Sequence, residues 1–282
     1  SSMTGGDAAR LAAINRNLAL AAQATGVAMG VGSQRVMFTH PASRESFALR
    51  RYAPDALLMA NLGAVQLNRG FGSDQCRAAV EAVGADALIL HLNPLQEAVQ
   101  PEGDTDFSNL AAAIGAVAER LPVPTVIKEV GAGLSPEDVD LLVRRGLRYM
   151  DVAGAGGTSW SRIENHRRAG GGTDGLGLVF QDWGIPTPQA LRMLRPWRDR
   201  VTLIASGGLR NGLDMAKAMV LGASLCGIAR PLLTPAMESA ERVIEAIGRI
   251  RREFVTAMFL LGVGTTDRLV GNEALLMEEP VK

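Results

Sequence analysis

The chain has 282 residues, enough for one large α/β barrel or two ordinary domains, and 47% hydrophobic against 21% charged residues predicts a globular core. The formal net charge is zero, and the densest cationic runs, "RIRRE" and "NHRRAG", are short enough to be a solvated helix face or loop, so no footprint for nucleic acid is offered. No apolar run reaches the length of a membrane span, and the two cysteines, Cys76 and Cys226, lack metal-ligand spacing, which predicts free thiols in a cytoplasmic protein.

The opening "SSMTGG" reads as the tail of a strand running into a glycine turn, with the strand itself lying before Ser1. Residues 7–26 then repeat apolar positions at helical spacing and stop at Gly26. Short apolar runs follow at 27–31, 56–60, 86–90, 125–129, 149–153, 201–205 and 224–229. Their continuous apolar character suits parallel strands covered on both faces. Helical patterns separate them, among them "SPEDVDLLVRRG", where Ser135 is an N-cap candidate and Pro136 sits at the first helical position. Seven strands plus the one implied by "SSMTGG" predict a TIM barrel, an α/β fold of eight parallel strands with its first strand truncated before Ser1. An open doubly wound sheet would want a GxGxxG turn after an early strand, and none follows any strand here. The interval 154–200 is too long for an ordinary connection, and its glycine-rich part, around 154–185, is read as an active-site loop, with a disordered insertion as the alternative.

Polar residues collect where the strands end, which is where a barrel builds its site. After the last two strands, "SGG" leads into a helix and "GIAR" closes, so Gly207, Gly208 and the Ala229–Arg230 corner are candidates for a phosphate; tight turns are the alternative. Lys128 ends an apolar strand, where a lysine is costly unless it faces a polar cavity or a ligand. An ion pair with Glu129 is disfavoured because strand neighbours point to opposite faces. In a barrel that binds a phosphate cofactor, such a cation suits the electron-rich end of a flavin ring. Ser33, Asn61 and Thr158 sit at strand ends as neutral donors and acceptors of the kind a flavin's pyrimidine edge needs; singly, each could be a loop hydrogen-bonder. In "HLNPLQE", His91 and Asn93 share one face by strand alternation, with Gln96 and Glu97 on the loop beyond Pro94. Glu97 could hold a hard cation such as Mg²⁺ beside a diphosphate that brings its own oxygens. His91 reads equally as a satisfied strand-end histidine or a substrate contact.

"SSMTGG", "GSQR", "HLNPLQE", "IKEVG", "GGTSW", "DWGIPT" and "SGGLRNGLD" appear in this order. With them the chain resembles the type 2 isopentenyl-diphosphate Δ-isomerases, FMN-dependent TIM barrels that interconvert isopentenyl and dimethylallyl diphosphate. The resemblance implies a single FMN-binding barrel domain over 1–282. It sets FMN against Met3, Thr4, Ser33, Asn61, Lys128 and Thr158, with the cofactor phosphate at Gly207, Gly208, Ala229 and Arg230. It puts the substrate diphosphate at Ser33, Gln34 and Arg35, with an Arg-Lys element ahead of Ser1 helping to clamp it. His91, Asn93 and Gln96 would line the substrate pocket, Glu97 would hold Mg²⁺, and Trp160 would wall the hydrocarbon end. Reduced FMN would supply and remove the proton, with Gln96 orienting or assisting, and NAD(P)H would serve only to reduce the flavin. A homo-oligomer is also implied. The nearest rival is an FMN oxidoreductase of the hydroxy-acid oxidase type, which needs a late histidine base beside an arginine. The only late histidine here is His166. An inosine-monophosphate-dehydrogenase-like enzyme would want a cysteine where "GGTSW" stands. A flavin-free lyase using Lys128 as a Schiff-base amine and a catalytically silent scaffold complete the alternatives.

Overall fold

Short runs of apolar residues, each followed by a helix, wind into one curled sheet in the computed structural model, which describes residues 1–2, 9–167 and 175–277. The strands are β1 (Met29–Gly30), β2 (Leu58–Gly63), β3 (Ala87–Leu92), β4 (Thr125–Glu129), β5 (Tyr149–Asp151), β6 (Thr202–Ala205) and β7 (Leu225–Cys226). All neighbours are parallel and the order in the sheet is the order in the chain. Sequential parallel order with helical crossovers is the winding of a TIM barrel, not of an open sheet whose strand order reverses. Ser1 and Ser2 lie between the two edges: the Ser1 nitrogen donates to the Ile228 carbonyl at 2.9 Å, and Ser2 abuts Gly30 of β1.

Strand alternation divides the core in two. Outward-facing Leu58, Leu62, Leu88, Leu90, Ile127 and Met150 are almost wholly buried beneath the helices. Each such side chain contributes about 1.5–3 kcal/mol by leaving water. Inside the curl, Ala87, Ile89 and Val126 pack with Met59 and Ile204. One step further along the same inward rows stand Asn61, His91, Lys128, Asp151 and Ser206, so an apolar plug gives way to a polar layer at the carboxyl ends of the strands. Register fixes their order, with Gly63 opposite His91, His91 opposite Lys128 and Lys128 opposite Asp151.

The helices carry their expected stops and starts. Gly26 and Gly146 take positive φ, 72° and 85°, after their helices. Ser135 and Asp138 form a reciprocal capping box, with Asp138 N–H to Ser135 Oγ at 3.1 Å. The helix Ala9–Thr25 packs Ile14 and Ala21 against Ala236 and Val243, so the first and last helices meet across the ring. Both cysteines are free. Among the described residues, no helix is long and apolar enough to cross a membrane.

Two expectations need correction. Gln96 and Glu97 lie not on a loop but on the helix Pro94–Val99, which starts as soon as β3 ends because Pro94 is set for its first turn. The glycine-rich interval is not one long loop: it holds the helices Trp160–Arg167 and Leu176–Val179, and Thr187–Met193 follows. "WSRIENHR" has only two apolar positions, so its helical period is faint, and it is held by packing on its neighbours. Residues 168–174 of that interval lie outside the described residues.

Candidate active site

A cavity of about 1010 Å³ opens at the carboxyl end of the strands, above the polar layer. Lys128 lies at its base with its ammonium 2.8 Å from Asp151 Oδ2 and 2.8 Å from Ser206 Oγ, while Ser206 donates to Asp151 Oδ1 at 2.6 Å. The three side chains come from the ends of β4, β5 and β6 and close a buried triangle. Lys128 is therefore ion-paired, but with Asp151 rather than with the adjacent Glu129. Glu129 points the other way: its Oε2 accepts from the N–H groups of Val130, Gly131, Ala132 and Gly133 at 2.5–3.1 Å. Burial pushes its carboxyl up to about 7 against the pull of those four donors.

On the opposite side of the base, Asn61 Nδ2 donates to the Val31 carbonyl at 2.9 Å and Asn61 Oδ1 meets His91 Nδ1 at 2.8 Å. Burial, and then the Lys128 charge, lower His91 to about 4. Gln34 stands behind Asn61: its Oε1 accepts the Asn61 N–H at 2.9 Å and its Nε2 donates to the Ala79 carbonyl at 2.9 Å.

Beyond β3, Asn93 Nδ2 donates to Glu97 Oε1 at 2.8 Å, and Glu97 Oε2 accepts the Asp104 N–H at 2.7 Å. Asn93 Oδ1 is buried and has no hydrogen-bond partner among the described residues. Next to it, Gln96 Nε2 donates to Glu164 Oε1 at 2.8 Å, and Arg167 pairs with the same buried carboxylate. Among the described residues no cluster of three His, Cys, Asp or Glu could by itself hold a metal. A cation here needs oxygens from its ligand and from water.

The fourth wall is a glycine corner. Gly207 and Gly208 both have positive φ, 90° and 80°, and a side chain at either would run into the backbone of residues 154 and 156. Thr187 Oγ1 donates to the Gly207 carbonyl at 2.6 Å and holds the turn. The helix Arg230–Glu238 begins at this corner. Its amino end and the glycine backbone suit a phosphate.

The sequence profile of the FMN-dependent dehydrogenase family matches residues 91–276. A protein from Paracoccus zeaxanthinifaciens named isopentenyl-diphosphate delta-isomerase is 56% identical over 99% of this chain and 80% of its own. Proteins of the same name from Hydrogenovibrio crunogenus and Nostoc sp. are 51% and 46% identical, over 98% and 95% of this chain and 81% and 77% of theirs. The chain belongs to the FMN-dependent, type 2 isopentenyl-diphosphate delta-isomerases. Among solved structures, a flavocytochrome b2 variant with sulfite bound aligns at a TM-score of 0.66 with 20% identity, over 96% of this chain and 66% of that one. A mandelate oxidase variant aligns at 0.59 with 18% identity, over 96% and 76%. At these identities the likeness speaks to the barrel alone.

Of the residues that the family resemblance singles out, Ser33, Arg35, Asn61, Lys128, Thr158, Gly207, Gly208, Ala229 and Arg230 line this cavity. So do His91, Asn93, Gln96, Glu97 and Trp160. Met3 and Thr4 lie outside the described residues. Gln34 departs from expectation: it is fully buried and does not reach the cavity, because its carboxamide satisfies the Asn61 N–H and the Ala79 carbonyl. Asp151, Ser206 and Glu164 were not foreseen. Only the buried charge of Asp151 at a strand end could have pointed to one of them.

Proposed function

We propose that this chain interconverts isopentenyl diphosphate and dimethylallyl diphosphate, with FMN and Mg²⁺ bound and NAD(P)H serving only to reduce the flavin. Membership of the isomerase family, at 56% identity over 99% of the chain, is the observation that carries the reading. The cavity's chemistry supports it.

The cradle of Gly207 and Gly208 with the Ala229–Arg230 corner fits the FMN phosphate, because a side chain at either glycine would clash with the backbone of residues 154 and 156 and break the turn. Lys128, aimed by Asp151 and Ser206, fits the electron-rich ring edge, and Ser33, Asn61 and Thr158 the pyrimidine edge. Bound in its reduced form, FMN would supply acid–base chemistry without net redox change. An unactivated alkene is a poor base, so its protonation needs a strong acid shielded from water. Trp160 walls that space. Gln96, held by Glu164, orients the proton-carrying groups; an amide is too weak an acid or base to do more.

Ser33 and Arg35 hold the substrate diphosphate away from the reacting carbons. Glu97 and the unpartnered Asn93 Oδ1 are two oxygens that fit Mg²⁺, the remaining ligands coming from diphosphate and water. Gln34 drops out of the substrate contacts. His166 does not line the cavity, so the late histidine that a hydroxy-acid oxidase needs has no counterpart here. Exposed Phe259 and Leu260, adjacent on the helix Ala240–Leu260, support assembly with further copies of the chain, and the two free thiols suit a reducing cytoplasm.

The test is an anaerobic incubation with isopentenyl diphosphate, Mg²⁺, FMN and NADPH. The allylic product is acid-labile and the substrate is not, so acid-released label measures turnover. No label released from a flavin-loaded protein would overturn the proposal.

A further inference from the structure

In the polar layer, the direction of the hydrogen bond between Asn61 and His91 is fixed by a third group. The Val31 carbonyl can only accept, so the Asn61 group facing it at 2.9 Å is the amide nitrogen, and the oxygen faces His91 Nδ1 at 2.8 Å. An amide oxygen can only accept, so the proton of that bond sits on His91 Nδ1. Asn61 cannot turn over to reverse the bond without setting its oxygen against the Val31 carbonyl. Its backbone is clamped as well: Gln34 N–H donates to the Asn61 carbonyl at 2.8 Å, and the Gln34 side chain accepts the Asn61 N–H.

We infer that Asn61 is a positioning residue that holds the His91 imidazole in the Nδ1–H tautomer and turns an unprotonated Nε2 toward the cavity as a hydrogen-bond acceptor. Among the described residues Nε2 has no protein partner. Gly63 leaves it room, since a Cβ there would lie 3.3 Å from Nε2.

In this tautomer the Nε2 lone pair opposes a phosphate oxygen and accepts from a ligand O–H or N–H. The diphosphate is then left to Ser33 and Arg35. This consequence rests on the isomerase reading; the tautomer does not, so the two can fail separately.

Imidazole ¹⁵N NMR tests it directly. The chain has three histidines, His40, His91 and His166, and H91Q assigns the signal. Spectra are taken on the full chain at pH 7, with FMN bound and after its removal. The expected pattern for His91 is a protonated Nδ1 and a bare Nε2 in both states. N61L should release the proton to Nε2. A wild-type ring with the proton on Nε2, or on both nitrogens, in either state would overturn the inference, as would N61L with the wild-type pattern. Should N61L not fold, the wild-type spectrum decides alone.

Discussion

Gln96 and Glu164, far apart in sequence, are joined by a 2.8 Å hydrogen bond that ties the helix after β3 to the helix after β5. The carboxylate is buried and is also gripped by Arg167. E164A would leave the Gln96 carboxamide free to rotate. Turnover should fall about 10- to 100-fold, the cost of misplacing a group near the chemistry by an ångström. Steady-state kinetics should show the loss in kcat with little change in KM. An unchanged kcat would remove Glu164 from the site.

The Lys128–Asp151 pair should reveal itself in stability. Both side chains are buried, 7% and 8% exposed. D151N keeps the shape but strands an ammonium among uncharged neighbours. Urea unfolding of the flavin-free chain should show a loss of about 3–5 kcal/mol, the usual cost of removing one partner of a buried pair. A midpoint within experimental scatter of the wild type would mean that water reaches Lys128.

Glu129 gives a pH dependence of definite sign. Its carboxyl is raised to about 7 from an ordinary 4.5. Between those values the folded chain holds a proton that the unfolded chain has released, so this group's contribution to stability falls as pH rises from about 4.5 through 7. E129Q cannot titrate and should lack that decline. Denaturation at pH 5 and pH 8 should show the wild type losing up to about 3 kcal/mol more than the variant over this window. Equal slopes would mean that the four backbone donors hold Glu129 ionised throughout.

Glu97, the proposed Mg²⁺ ligand, is fixed by Asn93 and by the Asp104 N–H. E97Q should raise the Mg²⁺ concentration needed for half-maximal rate by about tenfold or more, since Mg²⁺ depends on carboxylate charge beside its phosphate ligands. A Mg²⁺ titration of the rate decides this, and an unaltered midpoint would separate Glu97 from the metal.

The seven strands were legible because each is a short apolar run closed by polar residues, and the glycine corner because consecutive glycines after a strand have few other uses. What stayed hidden depends on partners distant in sequence. Gln34 sits in a polar stretch that the family resemblance sets against the substrate diphosphate, yet it is buried because it completes the hydrogen bonds of Asn61 and Ala79. Glu164 lies in a segment whose glycines hide a helix. Ser206 looks like one more turn residue until Asp151 and Lys128 are brought beside it from two other strands. Strand alternation put Lys128 inward but could not name its partner.

The central claim is that the chain moves a double bond by proton exchange that depends on reduced flavin. An anaerobic NMR assay in D₂O, with isopentenyl diphosphate, Mg²⁺ and FMN, compares chemically reduced with oxidised flavin. Dimethylallyl diphosphate carrying deuterium should form only when the flavin is reduced. No product from a protein with FMN visibly bound, or equal turnover with oxidised flavin, would contradict it.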